Sequence, residues 1–147
     1  VFYKQNVSNL QILNYNIIAL TYLKKFLSKF QLKIVGGGNG KCIAEFTVAK
    51  QHLNTLGGLH GGFTATLLDN VTTYALMSKP CHPGVSASLN VNYLKGAKEG
   101  DIVIVEANTV KAGKNLAYID CELRMKADDS ILVKGGQTKY VNYKPIF

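Results

Sequence analysis

The hydrophobic pattern changes period three times along the chain. From Asn9 to Phe30, Leu10, Leu13, Ile17, Leu20 and Leu27 fall near one face, and Lys24, Lys25 and Lys29 gather toward the end. That is an amphipathic helix whose last turns carry the cations its dipole favours. At Leu32 the period becomes two. Leu32 and Ile34 open a short strand, the run Gly36 to Gly40 turns, and Cys42, Ala44, Phe46 and Val48 alternate with Lys41, Glu45 and Thr47, which predicts a hairpin. Between Gly61 and Ser78 the helical period returns through Phe63, Leu67, Leu68, Val71, Leu76 and Met77, with Ala65 and Ala75 between them. This helix has little polar surface and is expected to be wrapped on most sides. It must stop by Ser78, because Pro80 and Pro83 follow.

Three strands come next, Val85 to Leu94, Asp101 to Lys111 and Asn115 to Lys126. A turn at Ala127-Asp128-Asp129 leads to a last strand from Ile131 to Tyr143. Hairpin, helix and meander make an α+β fold with one central helix against one antiparallel sheet. Gly135 and Gly136 in the last strand suggest a bulge or the close approach of another backbone. No repeat or linker divides the chain, so residues 31–147 are expected to form one domain behind a helical segment over 1–30. An accessory helix is the first expectation for that segment. A mitochondrial targeting segment is the second, weakened by its lack of arginine.

The chain has 147 residues, 47% of them hydrophobic, which suits a globular domain. No run approaches the ~20 uncharged apolar residues of a membrane span. Seventeen basic residues against nine acidic give a net charge of +8 and favour an anionic partner. Arg124 is the one arginine, so the forked contacts of sequence-specific nucleic-acid readers are scarce and no nucleic acid is expected. Cys42, Cys81 and Cys121 are odd in number and lack metal-like spacing, and His52, His60 and His82 form no paired motif. No metal and no disulfide framework are expected, and a reducing compartment follows.

The candidate chemistry lies between Asn54 and Asn70, in the run NTLGGLHGGFTATLLDN. Glycines at 57, 58, 61 and 62 let the backbone turn tightly and let another group reach the first amides of the helix, which attract partial negative charge. Asp69 lies nine residues after His60, about 14 Å along a helix and on its opposite face. One helix cannot aim both ends at the same atom. If they cooperate, the second end comes from another copy related by a two-fold axis, so the spacing predicts a dimer. From the residues alone, a satisfied core acid and a plain tight turn stay open beside catalysis.

Asn54, Gly57, Leu59-His60-Gly61-Gly62, Thr64-Ala65-Thr66-Leu67 and Asp69-Asn70, followed by Pro83-Gly84-Val85-Ser86 and Leu89-Asn90-Val91-Asn92-Tyr93, resemble the hotdog-fold acyl-coenzyme A thioesterases. The likeness runs from Lys33 to Tyr140 and includes Asp101-Ile102-Val103-Ile104, Lys111, Gly113-Lys114 and Thr138-Lys139. It implies a hotdog fold, with a long helix wrapped by a curved antiparallel sheet, and subunits joined as homodimers that pair into a homotetramer. It implies hydrolysis of acyl-coenzyme A, medium- or long-chain fatty acyl groups first, in the cytoplasm or mitochondrion. Coenzyme A is then part of the substrate, and no separate cofactor is needed.

Carried over by position, the resemblance makes Asp69 the general base or nucleophile and Gly61 the amide donor to the thioester carbonyl. Asn54 and His60 shape the site, and Ser86 positions water. Contacts to coenzyme A would come from Ser86, from Tyr93, Leu94, Lys95, Gly96, Ala97 and Lys98, from Lys111, Ala112, Gly113, Lys114, Asn115 and Leu116, and from Tyr140. The two lysine-bearing connections fall at opposite ends of antiparallel strands, so two subunits are needed to merge them. The chain departs from the family where relatives carry histidines in the last strand, having Gln137 and Tyr140 there. A hydratase or dehydratase on the same fold ranks lower, since its longer histidine-proline signatures are missing. A non-catalytic acyl or lipid carrier is the alternative from another class.

Overall fold

A computed structural model describes residues 24–79 and 81–142. Its strands are β1 (Lys33–Gly38), β2 (Lys41–Thr47), β3 (Val85–Tyr93), β4 (Ile102–Ala112), β5 (Leu116–Met125) and β6 (Ile131–Tyr140), and the long helix is α1 (Gly61–Met77). All strand pairs are antiparallel, in one sheet of order β1-β2-β4-β5-β6-β3 with α1 against one face. This is the α+β arrangement that the sequence predicts.

The β1–β2 hairpin forms where expected, but its turn is tighter than the glycine run suggests. Gly36 to Gly38 belong to β1, and the chain reverses at Asn39 and Gly40 alone. Both have positive φ, 50° and 90°, the pairing a two-residue hairpin turn requires. Of the accessory helix, residues 24–29 are helical, and Phe26 and Phe30 pack near Tyr74 and Phe63 with ring centroids 6.4 and 5.3 Å apart. The rest of that expected helix lies outside the described residues, and the last strand stops at Tyr140, short of the expected Tyr143, with Val141 and Asn142 already outside it.

The meander expected after the helix is only partly formed. Strands β4, β5 and β6 follow one another, but β3 pairs with β6 at the far edge instead of with β4. Both sides of β4 are taken, by β2 from Thr47↔Ile102 onward and by β5, so β3 has no room there. The connection back from β3 is held by Leu94 and Lys95 N–H on Leu132 O, and by Gly100 N–H on Val48 O.

Helix α1 buries Thr64, Leu67, Leu68, Val71, Thr72 and Ala75, a stripe at helical spacing. Leu67, Leu68 and Leu76 are fully buried, each contributing roughly 1.5–3 kcal/mol, which outweighs the ~1 kcal/mol that each of the two glycines at its start costs. The helix is less enclosed than its sequence suggests. Gly62 and Thr66 are exposed, and Asp69, Asn70 and Thr73 are half-buried. The strands of one chain cover one side and leave this second stripe open. Strand β3 is open too: every residue but Val91 is exposed.

Gly135 brings these parts together. A Cβ there would lie 2.1 Å from Asn90 O of β3 and 3.1 Å from a Leu68 methyl of α1. The ladder between β6 and β3 has no irregularity at this position, so close approach and not a bulge explains the glycine. Gly135→Ala is expected to cost at least the 1–3 kcal/mol typical of overpacking (roughly), since the obstacle is backbone. Calorimetry should record a melting midpoint several degrees lower; an unchanged midpoint contradicts the packing described.

Candidate active site

Asn54 shapes the loop that enters α1. Its Oδ1 accepts from Leu56 N–H at 2.9 Å and Gly58 N–H at 3.1 Å, a side-chain turn typical of asparagine. Backbone bonds of 2.8 Å from Leu59 N–H to Ala97 O and from His60 N–H to His52 O tie the loop to the segment after β3 and to the 3-10 turn Lys50–His52. His52 is buried and stacks on Phe63 with centroids 4.5 Å apart, and burial lowers its pKa from the usual histidine value. It is a neutral packing residue.

His60 is the N-cap of α1. Its Nδ1 accepts from Gly62 N–H at 2.9 Å and Phe63 N–H at 3.3 Å, which places its own proton on Nε2. Two of the free amides at the helix start are thereby used. Gly61 N–H bonds to no described residue, while Gly61 O accepts from the Tyr93 hydroxyl at 2.7 Å. Beside it lies a cavity of about 380 Å³, walled by Leu59, Gly61, Thr64, Tyr93, Leu94, Lys95, Gly96, Ala97, Leu132 and Val133.

Asp69 lies two turns further along the open stripe. Its Oδ1 accepts from Ser86 Oγ at 3.2 Å and from Gln137 Nε2 in a short contact. Gln137 Nε2 also donates to Ser86 Oγ at 2.6 Å, and Gln137 Oε1 accepts from Thr72 Oγ at 2.7 Å. One carboxylate oxygen is thus anchored by two donors. The other, Oδ2, takes no hydrogen bond from any described residue.

The residues singled out from the sequence fall into two groups within one chain. Asn54, His60, Gly61, Tyr93 and the 94–98 segment gather at the start of α1. Asp69 and Ser86 gather at the other end of β3, where the β4–β5 connection also lies: Leu116 pairs with Tyr140, and Asn115 O accepts from Val141 N–H at 2.8 Å. Along β3 the two ends are roughly 26 Å apart. Tyr140 is not brought to Asp69. It is 41% exposed, in register with Leu116 and Val85, one residue on from the inward-facing Lys139 and therefore on the face away from α1. Ala97 is buried, and its carbonyl holds the Asn54 loop.

The charges separate as well. On the outer face Glu106 contacts Lys41 at 2.5 Å and Arg124 at 2.8 Å, while Lys126 contacts Glu45 and Lys134 contacts Glu122. Burial pulls the Glu106 carboxyl up, but Lys41 and Arg124 hold it below the usual value. Lys98, Lys111 and Lys114 make no ion pair among the described residues.

Sequence reading gave Gln137 no role beyond a departure from the family, and gave Lys139 none. Both are buried, on the face of β6 that meets α1. Two polar residues at period two, opposite a helix holding one acid, were the available signal. Cys42 and Cys121 are buried, and burial pushes both thiols up, so neither offers a thiolate. Among the described residues no group of three or more histidine, cysteine or acidic side chains is placed to hold a metal, and no helix is long and apolar enough to cross a membrane.

A long helix packed on a six-stranded antiparallel sheet is the framework of the hotdog thioesterases. The sequence pattern of the thioesterase superfamily matches residues 56–131, and the chain belongs to this family. It is 38% identical to human acyl-coenzyme A thioesterase 13 over 112 residues, 76% of this chain and 80% of that protein. Mouse thioesterase superfamily member 2 superposes with a TM-score of 0.78 at 34% identity, covering 92% of this chain and 97% of that one. A hypothetical thioesterase from Streptococcus pneumoniae, solved with coenzyme A, superposes at 0.75 with 25% identity, covering 81% and 95% of the two chains.

Gln137→Met keeps the side-chain length and removes both donors to Asp69 and Ser86. Losing a hydrogen bond to a charged group costs about 1.5–3 kcal/mol, so the melting midpoint should fall by several degrees and turnover should fall with it. A midpoint equal to the parent's shows that Asp69 does not depend on this amide.

Proposed function

We propose that the chain hydrolyses acyl-coenzyme A thioesters, fatty acyl groups of medium or greater length foremost, in a site shared by two copies. The observation that carries this reading is the division of labour along α1. Asp69 has one oxygen anchored and one open, and the unclaimed Gly61 amide lies eight residues earlier on the same helix, roughly 12 Å away. Strand β3 suggests how the two meet. It is an open edge, and pairing it antiparallel with a second copy's β3 about a two-fold axis sets the Ser86 end of one beside the Tyr93 end of the other. Asp69 of one copy then faces the helix start of its partner, and the open stripe of α1 is covered.

In that site the carbonyl oxygen of the thioester accepts from the Gly61 N–H, which stabilises the negative charge that develops on it. Asp69 Oδ2 takes a proton from water as the oxygen attacks, or attacks the carbonyl itself; either way the carbon–sulfur bond breaks and acid and thiol leave. Ser86 and Gln137 hold the carboxylate so that Oδ2 is the oxygen presented. The apolar walls of the cavity beside Gly61 suit the acyl or pantetheine arm. The unpaired Lys98, Lys111 and Lys114 suit the phosphates of coenzyme A, and the same two-fold pairing joins their two ends. The relatives that are acyl-coenzyme A thioesterases or hold coenzyme A support this substrate class.

Asp69→Asn should lower thiol release from acyl-coenzyme A by about 10²–10⁴-fold while elution on size exclusion is unchanged. Parent-rate release by this variant ends the assignment, and binding without release in the parent favours a carrier. Gly61→Pro removes one N–H at a helix position that accepts proline, and should be similarly inactive. Mixing unfolded Asp69→Asn and Gly61→Pro chains and refolding them together should restore roughly a quarter of parental activity, because each mixed pair rebuilds one intact site. A mixture that stays inactive places both groups in one chain's site.

A further inference from the structure

A peptide unit is planar and trans, so fixing its carbonyl aims its N–H the opposite way. The Gly61 N–H shares its unit with the carbonyl of His60. One residue holds that carbonyl twice: the backbone N–H of Thr64 donates to it at 3.0 Å and the Thr64 hydroxyl at 3.1 Å. Thr64 is 1% exposed, so water does not compete for the hydroxyl's bond. The next unit, Gly61 O with Gly62 N–H, is clamped at both ends, by the Tyr93 hydroxyl at 2.7 Å and by His60 Nδ1 at 2.9 Å. A Cβ at Gly61 would lie 3.3 Å from the Tyr93 ring, so the ring sits close against the helix start. Two successive glycines would otherwise leave this turn loose.

A hydroxyl bonded to the carbonyl four residues earlier is common on helices, and α1 has three more: Thr66 on Gly62 O, Thr72 on Leu68 O and Thr73 on Asp69 O. At those three the N–H across the accepting peptide is already in use. His60 Nδ1 takes the Phe63 N–H, and the amides of Asp69 and Asn70 lie within the helix ladder. At Thr64 alone the accepting peptide carries an N–H that no described residue bonds. A carbonyl that accepts two hydrogen bonds draws charge across its amide and makes the N–H a stronger donor. Thr64 also lies in the wall of the cavity beside Gly61, so the polarised peptide is the one at the cavity's edge.

We propose that Thr64 is a positioning residue for the hydrolysis: its hydroxyl fixes and polarises the His60–Gly61 peptide, so that the Gly61 N–H is aimed at the oxygen of the reacting carbonyl. This rests on the reading of Gly61 as the donor to that oxygen. It adds the group that holds the donor in place before substrate arrives, and Thr64 acts through the peptide and not on the reacting atoms.

The test compares Thr64→Val and Thr64→Ser with the parent, measuring kcat and KM for thiol release from acyl-coenzyme A and the melting midpoint, beside Gly61→Pro. Thr64→Val keeps the branched shape and deletes the hydroxyl, while the carbonyl of His60 retains its backbone bond. Its kcat should fall roughly five- to tenfold, the scale of one hydrogen bond, with KM changed by no more than about twofold. Thr64→Ser returns the hydroxyl without the methyl and should recover most of the parental kcat even where its melting midpoint is the lower of the two. A parental kcat in Thr64→Val, a loss confined to KM, or an equal loss of kcat in both variants overturns the proposal. Should Thr64→Val not fold, Thr64→Ala is read against Thr64→Ser in the same way; failure of both Val and Ala variants to fold makes Thr64 a structural requirement and also overturns it. If Gly61→Pro is inactive and Thr64→Val turns over at the parental rate, only this inference fails. If Gly61→Pro is as active as the parent, the functional reading fails first.

Discussion

A carboxylate in the middle of an apolar helix has to be solvated by the protein around it. Asp69 cannot be served by its own helix, whose amides are already bonded, so its donors must come from the sheet. They do, from Ser86 on β3 and Gln137 on β6, and this need accounts for much of the topology. Strand β3 has to lie beside β6 for the two donors to converge on one oxygen. Gly135 has to lack a side chain for β3, β6 and α1 to come so close. Thr72 fixes the orientation of the Gln137 amide by bonding its oxygen, which leaves the nitrogen for the acid.

The same economy operates at the start of α1. His60 satisfies two amides and leaves that of Gly61, so the capping residue also decides which donor is available. Asn54 and Ala97 hold the loop that places His60, and buried His52 supports it from beneath. Within one chain the candidate residues thus form two clusters, each leaving one group unbonded by any described residue: the Gly61 amide in one and Asp69 Oδ2 in the other.

Local chemistry was legible in the sequence. The helix boundaries at Gly61 and Ser78 followed from glycines before and prolines after, and the alternation of Cys42, Ala44, Phe46 and Val48 specified the hairpin face. Asp69 stood out because an acid among leucines needs an explanation, and the fold supplies two donors to its Oδ1. What could not be read was long-range. Nothing in Val85 to Tyr93 says that its neighbour is β6 and not the next strand, because that depends on β4 having both sides filled. Gln137 and Lys139 look like ordinary alternating strand residues until the register puts them opposite Asp69 and Thr73. Tyr140, one residue further, was grouped with the site by resemblance and points the other way, as the period of two requires.

Strand β3 also bears on how the chain survives its own synthesis. Its nine residues, VSASLNVNY, contain no proline, glycine or charge, the features by which exposed edges usually discourage sticking to unrelated strands. A lone copy therefore displays a template for misassembly, and the hazard grows with the time spent uncovered. Covering this edge would remove that hazard, so the exposure of β3 bears on folding as well as on the proposed site.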